Sequence, residues 1–111
     1  FKSLFYLKTL NLAYNLLRKI TRDHFKNLIN LVSLDLSFNK IFCIEQYSFT
    51  DLKNLNNLNL RSNQLLSIST QILNGLINLK ELDLGRNEIN LIDFETFNSI
   101  RNLEILNLDH N

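Results

Sequence analysis

The chain has 111 residues, 45% of them hydrophobic and 21% charged, which suits a single soluble globular unit able to bury a core of its own. Twelve Lys and Arg against eleven Asp and Glu leave a net charge of +1, so bulk electrostatics favour neither nucleic acid nor an anionic membrane. No apolar run approaches the roughly 20 residues needed to span a bilayer, so this segment is not expected to insert into a membrane.

A constant step of 24 residues organises the chain from end to end. Residues 1–6 read as the tail of a preceding unit, with Phe1 and Leu4 in two of the columns that follow. The first full unit, 7–30, opens with Leu7, Leu10, Leu12 and Asn15. Leu17, Ile20, Phe25, Leu28 and Asn30 complete it. The second, 31–54, repeats the pattern with Leu31, Leu34, Leu36 and Asn39, the third, 55–78, with Leu55, Leu58, Leu60 and Asn63, and the fourth, 79–102, with Leu79, Leu82, Leu84 and Asn87. Residues 103–111 begin a further unit and close on Leu106, Leu108 and Asn111. The alternation Leu10-Asn11-Leu12 and its copies is the period-two signature of a short half-buried strand. A return of about 20 residues to an equivalent strand is what parallel pairing requires. The expected fold is therefore an α/β solenoid, with a parallel sheet on its concave face and loops or short helical turns on its convex face.

The asparagine column Asn15, Asn39, Asn63, Asn87 and Asn111 lies among core leucines. A buried amide without partners would cost about 1–3 kcal/mol. Since it carries both donors and an acceptor, the column is expected to be a structural ladder that closes the bend after each strand.

These residues resemble the leucine-rich repeat family across essentially the whole chain. The 24-residue length and the column of Phe25, Phe49 and Phe97 are similar to the subclass common in extracellular proteins. Segments such as Leu34-Asp35-Leu36-Ser37-Phe38-Asn39 look most like Toll-like receptor repeats. The resemblance implies a recognition module, most readily a ligand-binding segment of a receptor ectodomain of innate immunity, located outside the cell or at its surface. Two departures stand out. Thr21, Glu45, Ser69 and Asp93 occupy a column where proline is frequent, which implies looser convex loops, and cysteine-rich caps are missing. The chain begins without an initiator Met or signal peptide, so its true N-terminus is expected to lie upstream. Core leucines at uncapped ends imply self-association of this segment, end to end or through edge strands.

Binding is expected on the concave or lateral face, with a protein as partner. The outward strand columns change chemistry at nearly every step while the core columns barely vary. Tyr14, Phe38, Arg61 and Arg86 are candidate partner-binding residues, because aromatic and Arg side chains are enriched in binding hot spots. The alternative for the aromatics is packing over the turn. Asp35 and Asp83 belong to an Asn/Asp column that is either a hydrogen-bonding strip or simply solvated.

Catalysis is not expected. Cys43 has only His24 and His110 as histidine candidates, and their repeat positions make no dyad. Cys43 reads instead as a small half-buried apolar filler between Phe42 and Ile44. No Cys/His cluster or acidic loop suggests a metal, and Gly75 and Gly85 make no phosphate loop, so no cofactor is expected. An intracellular scaffold or effector, in the cytoplasm, is the alternative that a lone cysteine fits. A regulatory repeat region of a larger enzyme is the third. The absence of any Asn-x-Ser/Thr sequon weighs slightly against a heavily glycosylated ectodomain.

Overall fold

A computed structural model describes residues 4–93 and 95–111; Phe1 lies outside the described residues. Seven short strands follow in chain order: β1 (Thr9–Asn11), β2 (Lys19–Ile20), β3 (Ser33–Asp35), β4 (Cys43–Ile44), β5 (Asn57–Asn59), β6 (Glu81–Asp83) and β7 (Ile105–Asn107). Five of them form one parallel sheet in the order β1-β3-β5-β6-β7. Its register, Thr9 to Ser33 to Asn57 to Glu81 to Ile105, advances 24 residues per coil. Every coil thus places the same repeat position beside its counterpart, and the molecule grows along one axis to extents of 38 × 31 × 21 Å.

Leucines pointing in from the sheet meet the Ile and Phe side chains of the return segment. Leu34, Leu58 and Leu82 are each 1% exposed, and Leu31, Leu55, Leu79, Phe49 and Leu73 are fully buried. Coils at either end lack a neighbour on one side. Leu10 is only half-buried and Leu106 is 37% exposed. The 111-residue chain alone is therefore expected to associate in a concentration-dependent way. Sedimentation velocity checks this, and a monodisperse monomer at high concentration would contradict it.

The convex side departs from the expectation of helical turns. Among the described residues it holds no α-helix, so the fold is an all-β arc and not an α/β one. The turns there are closed by single i to i−3 bonds, such as Leu52 N–H to Phe49 O at 3.0 Å and Leu55 N–H to Leu52 O at 3.2 Å. Each is followed by an extended stretch that has to cross the width of the coil, which leaves no run long enough to nucleate a helix.

The convex loops are also tied down. β2 pairs with β4 in a second parallel sheet, joining Lys19 to Cys43 and Ile20 to Ile44. Glu45 N–H donates to Ile20 O at 2.9 Å. A proline at position 45 would lack this donor, so there the absence of proline adds a rung and does not loosen the loop. Cys43 is exposed, contrary to the filler role, because the strand alternation turns only Ile44 inward. Gly75, at φ 94°, completes the turn beside Thr50; a Cβ there would lie 2.5 Å from the Thr50 Cα and carbonyl oxygen, so no other residue fits without moving backbone.

Candidate functional site

The outward side chains of the concave sheet and the bend that follows it form one continuous wall. Its first element is a strand-end turn repeated in every coil. The side-chain oxygen of Asn11 accepts from Ala13 N–H, that of Asp35 from Ser37 N–H, that of Asn59 from Arg61 N–H, that of Asp83 from Gly85 N–H and that of Asn107 from Asp109 N–H, all at 2.9–3.0 Å. Asp35 also accepts the Ser37 hydroxyl at 2.6 Å. One oxygen of each of these side chains thus turns the backbone out of the sheet, an Asx turn, and only what remains faces outward. Asp35 and Asp83 therefore carry a local structural duty that the sequence pattern does not reveal.

The second element is the asparagine ladder. Asn63 donates to Leu36 O and Leu60 O, both at 3.0 Å, and accepts Ile41 N–H at 2.9 Å. Asn39 and Asn87 repeat this set one coil to either side. Asn111 makes the same bonds at the last coil, whereas Asn15 in the first reaches only carbonyls of its own turn. Asn30, Asn54, Asn78 and Asn102, which also share one repeat position, form a further row. Each donates to a carbonyl of the preceding coil, at 2.7–3.0 Å, along the lateral edge.

Asx turn and ladder together force the residue between them into the left-handed region. Tyr14, Phe38, Ser62, Arg86 and His110 have φ of 58°, 55°, 58°, 51° and 57°. Such a conformation costs a non-glycine residue about 1–2 kcal/mol, and the hydrogen bonds on either side offset it. The five residues share one backbone φ and one register, so their Cα–Cβ bonds leave the wall in the same sense. Tyr14 and Phe38 stack with ring centroids 4.4 Å apart and planes 5° from parallel. Both are exposed, at 75% and 41%. Arg86 is exposed and makes no ion pair with any described residue.

Arg61 is placed differently. Its guanidinium spans two coils to grip Asp109, Nη1 to Oδ1 at 2.8 Å and Nη2 to Oδ2 at 3.0 Å, with Asp83 Oδ1 at 3.4 Å from Nη1. Gly85 makes the crossing possible: a Cβ there would collide with Asp109 Oδ1 and Arg61 Nη1. His110 Nδ1 lies 2.7 Å from Asp109 Oδ2. Forty-eight residues separate Arg61 from Asp109. The signal available in sequence is the column Arg61, Gly85, Asp109, opposite charges flanking a residue without a side chain.

The Arg61 hydrogen bond, helped by His110, holds the Asp109 carboxyl well below the usual carboxylate range, and the same pair raises the Arg61 pKa. Because the folded-state value is depressed, the stabilisation is complete at pH values above the unfolded carboxylate pKa of about 3.9 and is lost as pH falls below it. Gly85→Ala is expected to push the partners apart and return Asp109 towards ordinary acidity. A carboxyl-carbon NMR titration reads this directly, and an unshifted Asp109 titration in the variant would contradict the bridge.

The two histidines do not approach Cys43. His24 Nδ1 accepts Thr21 N–H at 2.7 Å on the convex side, His110 sits at the concave bend, and Cys43 is exposed on β4. Among the described residues no helix is long and apolar enough to cross a membrane.

Comparison with known proteins gives the same picture. No curated protein sequence matches the chain. Among solved structures it superposes on TLR13 in a TLR13–ssRNA13 complex with a TM-score of 0.88 at 36% identity, covering 94% of this chain and 14% of that one. It superposes on the Drosophila Toll–Spatzle complex with a TM-score of 0.84 at 38% identity, covering 87% of this chain and 13% of the other. For the glycosylated form of that complex the values are 0.87, 36%, 94% and 14%. The chain thus spans about one-seventh of the length of these structures. Its repeats resemble those of Toll and Toll-like receptors. The family model for the leucine rich repeat matches residues 5–65 and 53–111, so this chain belongs to the leucine-rich repeat family.

Proposed function

We propose that the chain is a non-enzymatic recognition segment of a Toll-like or related receptor ectodomain, working outside the cell and binding a protein ligand on its concave wall. The observation that carries this reading is the division of labour within each coil. Leucines, ladder asparagines and the Asn/Asp turn column repeat almost unchanged, whereas the wall they support presents Tyr14, Phe38, Arg86 and Glu81 in no repeating chemistry. A scaffold so regular holds a variable surface at fixed spacing, which lowers the ordering cost of binding. Toll, whose repeats these resemble, forms a complex with Spatzle, which supports a protein ligand here. In the same reading residues 7–30, 31–54, 55–78 and 79–102 are the full repeats of one domain segment, and the ladder asparagines serve structure and not binding.

Charge substitution tests the reading. The chain is secreted behind an added signal peptide and presented to a panel of extracellular proteins by surface plasmon resonance. A cognate ligand is expected to lose at least about tenfold in affinity on Glu81→Lys with Asn57→Lys, exposed wall positions that close no turn, because both changes place unmatched positive charge within an interface. The convex control, Arg18→Glu with Lys19→Glu, is expected to leave affinity unchanged. Ligands sensitive only to the convex change would overturn the reading.

A further inference from the structure

We propose that the concave bend contains a stacking slot above Ser62, built to take one aromatic side chain from a basic segment of the protein ligand. The slot presupposes that the concave wall recognises protein, and it specifies what the ligand must bring.

The geometry follows from the left-handed column. Tyr14, Phe38, Ser62, Arg86 and His110 leave the backbone at the same φ in successive coils. The spacing of those coils suits ring stacking, since Tyr14 and Phe38 lie face to face at 4.4 Å with planes 5° from parallel. At the next step the stack stops, because Ser62 has no ring and its hydroxyl makes no hydrogen bond with any described residue. Arg86 follows one coil later, exposed and unpaired among the described residues. Phe38 and Arg86 are two coils apart, about 9–10 Å at parallel-strand spacing. Two van der Waals contacts of about 3.5–4.0 Å account for most of that distance, which leaves room for one flat ring and not two. Such a ring would continue the Tyr14–Phe38 stack on one face and meet the Arg86 guanidinium on the other, gaining a cation–π contact.

Charge decides between the molecules that carry flat rings. Among the described residues the strand wall beside the slot bears Asp35, Glu81 and Asp83, while Arg61 and Asp109 occupy each other. A nucleic acid would bring a phosphate for every base against those carboxylates. An aromatic residue flanked by Lys or Arg would instead find them complementary.

The test uses the 111-residue chain and three probes: the capped tripeptides Lys-Trp-Lys and Glu-Trp-Glu, and adenosine monophosphate. In nitrogen-edited NMR spectra Lys-Trp-Lys is expected to shift the Ser62 and Phe38 amides upfield by ring current, saturably, and more tightly than either other probe. Ser62→Phe extends the aromatic stack at a position where the two preceding coils already hold rings at the same φ, and is expected to abolish the shift. Ser62→Ala should leave it intact, and Arg86→Ala should weaken binding about two- to fivefold. No ring-current shift in the wild-type chain, a shift that survives Ser62→Phe, or preference for the nucleotide would each overturn the slot. If Ser62→Phe does not fold, the wild-type shifts and the order of the three probes still decide. A full-length protein ligand that loses affinity on Glu81→Lys with Asn57→Lys but not on Ser62→Phe would sink the slot while leaving concave recognition standing. A ligand indifferent to both would remove the recognition reading itself.

Discussion

Asn63→Ala is expected to destabilise the chain by about 3 kcal/mol, mainly because it strands a buried donor. Ile41 is fully buried and its N–H donates to Asn63 Oδ1, for which alanine offers no substitute. The carbonyls fare better. Leu36 O also accepts from Asn39 and Leu60 O also accepts from Asn87, so each keeps one partner. Asn87→Ala should behave the same way, since it strands the N–H of buried Leu65, whereas Asn39→Ala should cost less because the Leu17 N–H it strands is only part-buried. Asn15 is exposed and bonds only carbonyls of its own turn, so Asn15→Ala should cost less than about 1 kcal/mol. Asn63→Asp separates shape from chemistry: it preserves the acceptor for Ile41 but sets an oxygen against three carbonyls, and it is expected to be at least as damaging as alanine. Urea unfolding followed by circular dichroism measures all five variants. Equal losses at Asn15 and Asn63 would mean that the ladder acts locally and not from coil to coil.

Phe49→Ala is expected to cost about 3–5 kcal/mol, the usual loss when a phenyl ring is cut from a core that cannot collapse around the gap. Phe49 is fully buried and lies 6.0 Å from the Phe25 ring, tilted by 28°. Turns bound by fixed backbone hydrogen bonds on the convex side hold the walls of the gap apart. Phe49→Leu is expected to cost only about 1–2 kcal/mol, because Leu73 already fills the same column one coil later and is fully buried there. A chain of this size has roughly 5–15 kcal/mol in total, so Phe49→Ala should show a much lowered urea midpoint, and the leucine variant a small shift. Similar midpoints for the two would imply that the convex loops relax into the space.

The main sheet is legible from the residues because every coil has the same inward requirement. Leu34, Leu58 and Leu82 meet identical surroundings, and their recurrence dictates where a strand must sit. Legibility fails where an element is too short for a period or a contact too distant for a motif. β2 and β4 have two residues each, so no alternation marks them, and Cys43 reads as inward from the company of Phe42 although Phe42 is itself 43% exposed. The Asx turns stay hidden because Asn and Asp in an outward column look the same whether solvated or folded back onto the chain. The Arg61–Asp109 bridge needs the third dimension, since only the stacked coils bring residues 61 and 109 together across Gly85. The parallel departure of Tyr14 and Phe38 is likewise invisible, for it depends on a backbone sign that no side chain announces.

Pairing of β2 with β4 bears on shape as much as on stability. An arc bends when its outer rim is longer than its inner rim, and a hydrogen-bonded rung fixes rim length at sheet spacing, about 4.8 Å per step. Both rims are pinned in this way between the first two full repeats. Further along, the outer rim is joined by the single bridge of Ser67 to Leu91 and by fewer backbone bonds among the described residues. The first two full repeats are therefore expected to be the stiffest part of the arc, the section least able to adjust its opening to a ligand.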